Sequence, residues 1–194
     1  MLVADDVLID AGTGIGDLAL VELQPIRHVF ITHAHHDHIA GLPFLVDSVF
    51  DEKLETPVTV YARDETLRAI QDHLFNDVIW PDFARLPTPE HPMLRYHVCS
   101  PGDTVNIGHR NFYAVDVMHS VPSLGYTVQN SGGVFAVCGE TNTNVGVGRV
   151  LLGGVEVMVG VGVGAWRGGR GAGAGGGGVW GGGGGARAGV GVGG

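Results

Sequence analysis

Cysteine is almost absent from this 194-residue chain. Cys99 and Cys138 are too few and too far apart for a disulfide framework, so a reducing compartment is expected. Basic residues are scarce as well: 11 Lys and Arg stand against 20 Asp and Glu, a formal net charge of −9. Four of the basic residues (Arg149, Arg167, Arg170, Arg187) but a single acid (Glu156) lie in the last fifty positions, which leaves the body at −12. A field of that sign repels polyanions and excludes tight binding to nucleic acid or to an anionic membrane surface. There is no basic start followed by an apolar signal segment, and no apolar run long enough to cross a bilayer. A cytoplasmic location is therefore expected; monomer and homo-oligomer both stay open.

The last fifty residues lack still more. From Val145 onward there is no Asp, Asn, Lys, Ser, Thr, Pro, His, Tyr or Phe, while 24 of the 34 glycines fall there. The apolar residues keep neither a helical nor an alternating period, and ordering so many glycines costs more backbone entropy than the little buried area returns. Nearly every residue there can be written with a G-rich codon, as a shifted frame through GC-rich DNA would give. A flexible Gly linker and a Gly-rich adhesive segment are the other readings. The chain thus divides into a globular body, 1–144, and a low-complexity tail, 145–194, expected to be disordered.

What is present is concentrated in Thr32-His33-Ala34-His35-His36-Asp37-His38, four potential metal ligands in the pattern H-x-H-x-D-H. The preceding apolar run, His28 to Ile31, reads as a buried strand. In an extended segment, side chains i and i+2 share a side, so His33 and His35 can hold one ion together while His36 points away. A helix starting near Asp37 swings that carboxylate and His38 toward a second ion. Imidazole and carboxylate suit zinc, with manganese or iron as substitutes, and the absence of cysteine argues for an open, catalytic site rather than a closed structural one.

Around this centre the chain alternates strands and helices. Val7 to Ile9 reads as a strand ending at Asp10, which either orients a ligand histidine or forms the turn through Gly12 and Gly14. Asp17 can cap a short helix through Leu23. A helix is expected over 38–49, with Pro43 kinking or ending it, a strand over 57–61 and an amphipathic helix over 64–74. Asn76 to Phe83 is an irregular loop able to wall a pocket, in which Trp80 and Phe83 either stack on a flat substrate group or pack the loop onto the core. Strand-like runs at 94–98, 104–107, 111–118, 126–128 and 134–138 make the second half of the body a sheet. His119, at the end of one of them, completes a three-histidine set with His33 and His35. Glu140, at the end of another, is placed to bridge two ions. His73, His91, His97 and His109 have no spacing partners.

The motif at 32–38 followed by IAGLPFLVD (39–47) resembles the metal motif of the metallo-β-lactamase-fold hydrolases. With LIDAGTG (8–14), NDVIWPDF (76–83) and HSVPSLGY (119–126), the body resembles the class II type cyclic-nucleotide phosphodiesterases of that superfamily. The resemblance covers residues 1–144. It implies an α+β, four-layer αββα sandwich, incomplete at both ends in this chain, with two zinc ions at one edge of the sheets. His33, His35 and His119 would hold one ion, Asp37 and His38 the other, and Glu140 would bridge them. The substrate would be a small 3′,5′-cyclic nucleotide (cAMP or cGMP), opened to the 5′-monophosphate, with Asp37 orienting or deprotonating the attacking water. The sequence departs from the pattern in carrying Glu140 where the family has Asp, and in having no histidine after His119 for the second ion. A thioester or RNA 3′-end hydrolase of the same superfamily, and a non-catalytic zinc-binding fragment inactive as written, are the alternative readings.

Overall fold

A computed structural model of the protein describes residues 1–50, 56–139 and 157–160. The first sheet begins with a hairpin of β1 (Leu2–Ala4) and β2 (Val7–Ile9) and continues through β3 (His28–Phe30) and β4 (Val58–Ala62). After a small ribbon of β5 (Pro87–Thr88) and β6 (His91–Pro92), β7 (Leu94–Val98) adds to its edge. Strands β2, β3, β4 and β7 run parallel. The second sheet is an antiparallel meander of β8 (Thr104–Ile107), β9 (Arg110–Val117), β10 (Ser123–Asn130) and β11 (Gly133–Cys138), extended by β12 (Val157–Gly160) parallel to β11. A 3-10 turn (Thr13–Asp17) and four helices, α1 (Leu20–Leu23), α2 (His36–Ile39), α3 (Leu42–Ser48) and α4 (Asp64–His73), complete the described elements.

Period-two alternation decides which face each side chain takes. Val7, Ile9 and Phe30 enter the core between the sheets, and Leu8, Val29 and Ile31 enter the core under the helices. Between the sheets, Phe30 stacks on Tyr61 at 4.5 Å and Phe112 at 4.4 Å, with Tyr126 edge-on at 5.1 Å. On the other side Leu42 and Leu45 of α3 and Leu67 and Ile70 of α4 cover the sheet. Both faces of β2, and most of β3 and β4, are thus buried, which accounts for their largely apolar sequences, whereas the edge strand β7 keeps Arg95, His97 and Val98 exposed. At the end where β9 starts, buried Arg110 donates through both terminal nitrogens to the two carboxylate oxygens of Asp6, each at 2.7 Å, and holds that carboxyl below its ordinary range.

Several expectations are corrected. The single helix over 38–49 is two helices broken at Gly41. A Cβ there would collide with the carbonyl oxygen of Gly12 and with Ile15, and Pro43 sits in the first turn of α3, where its missing N–H costs nothing. Asp17 closes the 3-10 turn and does not cap α1; the backbone N–H of Ala19 is instead satisfied by Glu22 Oε2 at 2.9 Å. The run at 94–98 joins the first sheet, not the second. Within the 145–194 segment, β12 pairs its backbone with β11; the rest of that segment, and Glu140, lie outside the described residues. The expected α+β architecture of two sheets with helices is found, and among the described residues no helix is long and apolar enough to cross a membrane.

The Gly12 contact makes a quantitative expectation. A Cβ at Gly12 would collide with the carbonyl oxygen of Asp37, whereas one at Gly14 meets nothing within 4 Å. Gly12→Ala should therefore destabilise the protein by about 2–4 kcal/mol in urea unfolding, and Gly14→Ala by less than about 0.5 kcal/mol.

Candidate metal centre

The parallel strands β2, β3 and β4 all end at one edge, the place where open α/β sheets carry their sites. At the end of β2, Asp10 takes a φ of 55°, in the left-handed region that Asp tolerates better than most residues, while its N–H stays bonded to the Phe30 carbonyl at 2.8 Å. Its carboxylate accepts from the Thr32 backbone N–H at 2.8 Å, from the Thr32 hydroxyl at 3.0 and 2.9 Å, and from His38 Nδ1 at 2.8 Å. The two roles expected of Asp10 as alternatives, turn former and orienter of a histidine, are both found. Backbone bonds from Ala11 N–H to the His38 carbonyl (2.8 Å) and from Gly41 N–H to the Ala11 carbonyl (2.7 Å) lock this strand end to α2.

Past β3, His33 is fully buried and His35 partly so; both face His119, which follows β9 and Met118 in the other sheet. His33 Nε2 lies 2.9 Å from His35 Nδ1, and His119 Nε2 lies 3.2 Å from the same nitrogen. One nitrogen from each of the three lies within 4.8 Å of the others. Zinc held tetrahedrally by imidazoles at about 2.0–2.1 Å separates its ligand nitrogens by about 3.3 Å, close to the 2.9 and 3.2 Å separations measured from His35 Nδ1. The outer nitrogens explain the inner ones. The Thr32 hydroxyl donates to the Asp10 carboxylate, Thr32 Oγ1 is then free to accept from His33 Nδ1 at 3.0 Å, and the Nε2 lone pair of His33 is left facing the cluster.

His38 Nδ1 is engaged by Asp10, which leaves its Nε2 3.4 Å from Asp37 Oδ2. Asp37 and His38 therefore form a separate two-donor pair beside the triad, with the Asp37 side chain 65% exposed. His36 is exposed and outside the cluster, as alternation requires. Trp80 and Phe83 are not brought to the histidines. Phe83 is 4% exposed in the helix-side core against Phe50 and Phe75, and Trp80 lies edge-on to Phe44. The loop does wall a pocket of about 390 Å³, but its lining, which includes Phe75, Asn76, Asp82 and Tyr96, contains no residue of the centre. Sequence reasoning missed the hydroxyl of Thr32 and the role of Gly139, where a Cβ would come within 2.8 Å of Thr32 Oγ1 and 3.4 Å of His33 Nδ1. A fully buried Thr immediately ahead of the first histidine was the available signal.

Burial, with His38 adding to it, pushes His33 down to about 4 from 6.5. The thiols go the other way, Cys99 to about 12 and Cys138 to about 11, both through burial, so neither offers a thiolate at neutral pH. Because folded His33 binds its proton less readily than the unfolded chain, its contribution to stability is complete above 6.5 and is lost as pH falls toward about 4. Metal-free protein should accordingly show a falling denaturation midpoint over that window, with a shallower fall in His33→Asn. Gly139→Ala should displace Thr32 and weaken zinc binding about tenfold by competition titration, although it removes no ligand.

Comparison with known proteins agrees with this geometry. A 59-residue segment, 30% of the chain, is 39% identical to the 3′,5′-cyclic-nucleotide phosphodiesterase 1 of Saccharomyces cerevisiae, of which it spans 16%. The Ribonuclease Z of Pyrococcus horikoshii is 29% identical over 123 residues, 62% of the chain and 37% of that protein. The crystal structure of unliganded yeast PDE1 superimposes with a TM-score of 0.60 at 22% identity, over 73% of this chain and 45% of that one, which shows a shared fold. The chain thus spans well under two thirds of the relatives it matches. The profile of the beta-lactamase superfamily domain matches residues 5–171, running past the boundary at 144. A match of that extent, taking in the Asp10 turn and all three converging histidines, makes the chain a member of the beta-lactamase superfamily.

Proposed function

We propose that the chain is a metal-dependent phosphodiester hydrolase whose substrates are 3′,5′-cyclic nucleotides, cAMP or cGMP, opened to 5′-monophosphates. The observation that carries this reading is the convergence of His33 Nε2, His35 Nδ1 and His119 Nε2 at one sheet edge, three imidazoles of the kind that bind zinc with a position left for water or substrate. Zinc is the first choice, two ions in all, with manganese or iron as substitutes. A divalent ion in such a site supplies Lewis acidity to a phosphate and acidifies water. The chain's own groups do the rest. Asp10 and Thr32 hold His33 and His38 by their Nδ1 atoms, which turns each Nε2 outward from that network. Asp37, exposed beside His38, is the carboxylate able to take a proton from the attacking water, and with His38 and Glu140 it supplies the donors for the second ion.

Two relatives with phosphodiester-cleaving names leave the choice between a small substrate and RNA. The body's charge of −12 favours the small one, since a net acidic body repels a polymer's phosphates. The longer archaeal match favours RNA, and that second reading stands on its coverage.

Purified full-length chain supplied with zinc or manganese, assayed against cAMP, cGMP and a 3′-extended tRNA precursor, separates the two. Cyclic-nucleotide hydrolysis should fall at least about 100-fold in His33→Ala and His35→Ala and change less than about threefold in His36→Ala. Cleavage of the RNA alone would transfer the assignment to the second reading, and turnover of neither would remove both.

A further inference from the structure

The three histidines do not belong to one rigid element. His33 and His35 follow β3 in the first sheet, whereas His119 follows β9 in the second, so their spacing is set by how the sheets align at this edge. Bonds from β10 cross between the sheets here: Leu124 N–H to the Thr32 carbonyl at 2.9 Å, and the Tyr126 hydroxyl to the Ile31 carbonyl at 3.0 Å and the Tyr61 carbonyl at 3.3 Å. Strand β9, which carries the third histidine, has its own crossing. Arg63 Nη1 donates to Asp116 Oδ1 at 2.7 Å. Arg63 directly follows β4 and stands level with Thr32, because Tyr61 pairs with Phe30; Asp116 lies three residues before His119.

We propose that the Arg63–Asp116 ion pair is a positioning clasp, holding the end of β9 so that His119 reaches the ion shared with His33 and His35. The proposal rests on the reading that this cluster binds a divalent metal. The other end of β9 shows what a stability contact looks like: Arg110 is buried and bidentate on Asp6. Asp116 differs in being 68% exposed, and an exposed pair adds little to folding stability. Ligand placement is more demanding, since a shift well under an ångström already degrades a site. The clasp therefore predicts a dissociation of effects: metal affinity falls while stability barely moves.

Cobalt(II) titration of the full chain, followed by its visible ligand-field band, tests this. Asp116→Asn and Arg63→Gln should each weaken binding about three- to tenfold and reduce the band intensity, with the thermal midpoint of the metal-free protein within about 3 °C of wild type. Exchanging the charges, Arg63→Asp with Asp116→Arg, should return affinity to within about twofold of wild type. Arg68→Gln, which breaks the Arg68–Asp64 surface pair at 2.7 Å on α4, should leave binding unchanged. If Asp116→Asn does not fold, Arg63→Lys decides, with weakened binding expected from its shorter reach. Single variants that bind cobalt as tightly as wild type, or a loss that the charge exchange does not restore, would overturn the clasp alone. A wild-type chain that binds no cobalt would remove the metal reading and the clasp together, and Arg68→Gln would then bind none either.

Discussion

The Asp10 carboxylate is the acceptor on which the centre's geometry depends. It gathers a backbone N–H, a hydroxyl and an imidazole from positions as far as 28 residues along the chain, and in doing so sets the proton on His38 Nδ1 and, through Thr32, on His33 Nδ1. A histidine whose outer nitrogen carries the proton presents a lone pair inward, so His33 is oriented as a donor before any ion arrives. The network is buried, and without the carboxylate the Thr32 N–H and the His38 ring would lose their partner where water is scarce. The positive φ at Asp10, the absent Cβ at Gly12 and the broken helix at Gly41 follow from the same requirement, that the end of β2 lie against the start of α2.

The site is built by two sheets with different jobs. The first is sealed on both faces by apolar packing and supplies Asp10, Thr32, His33 and His35 from strand ends that its parallel register holds level. The second contributes His119 from beyond β9 and is joined to the first by the Phe30–Phe112 stack in the middle and by polar contacts toward the ends. The centre's precision comes from contacts that add little to folding. The surrounding acidity works in the same direction, since a body at −12 admits an anionic substrate only where metal charge offsets the field.

Much of this was legible in the sequence because it rests on local periodicity. Alternation along an extended segment pairs His33 with His35 and turns His36 outward, and the apolar runs of β2, β3 and β4 mark buried strands. What stayed illegible depends on contacts between distant segments. Periodicity alone drew one helix over 38–49, since nothing local reveals that Gly41 must pass the Gly12 carbonyl. The run at 94–98 precedes four strands of the second sheet, and its partner is chosen by a crossover that adjacency does not encode. Asp6–Arg110 and Arg63–Asp116 span 104 and 53 residues, and no spacing rule finds them. Trp80 and Phe83 are chemically suited both to stacking on a base and to packing on the core, and burial of Phe83 among Phe50 and Phe75 shows where that ring goes.

The central claim is that three imidazoles from two sheets converge on one ion. Zinc K-edge absorption on the protein loaded with one equivalent of zinc tests it most directly. Binding by His33, His35 and His119 should give a nitrogen and oxygen shell at about 2.0–2.1 Å with outer-shell scattering from three imidazole rings. A sulfur shell at about 2.3 Å, or scattering from a single ring, would contradict it.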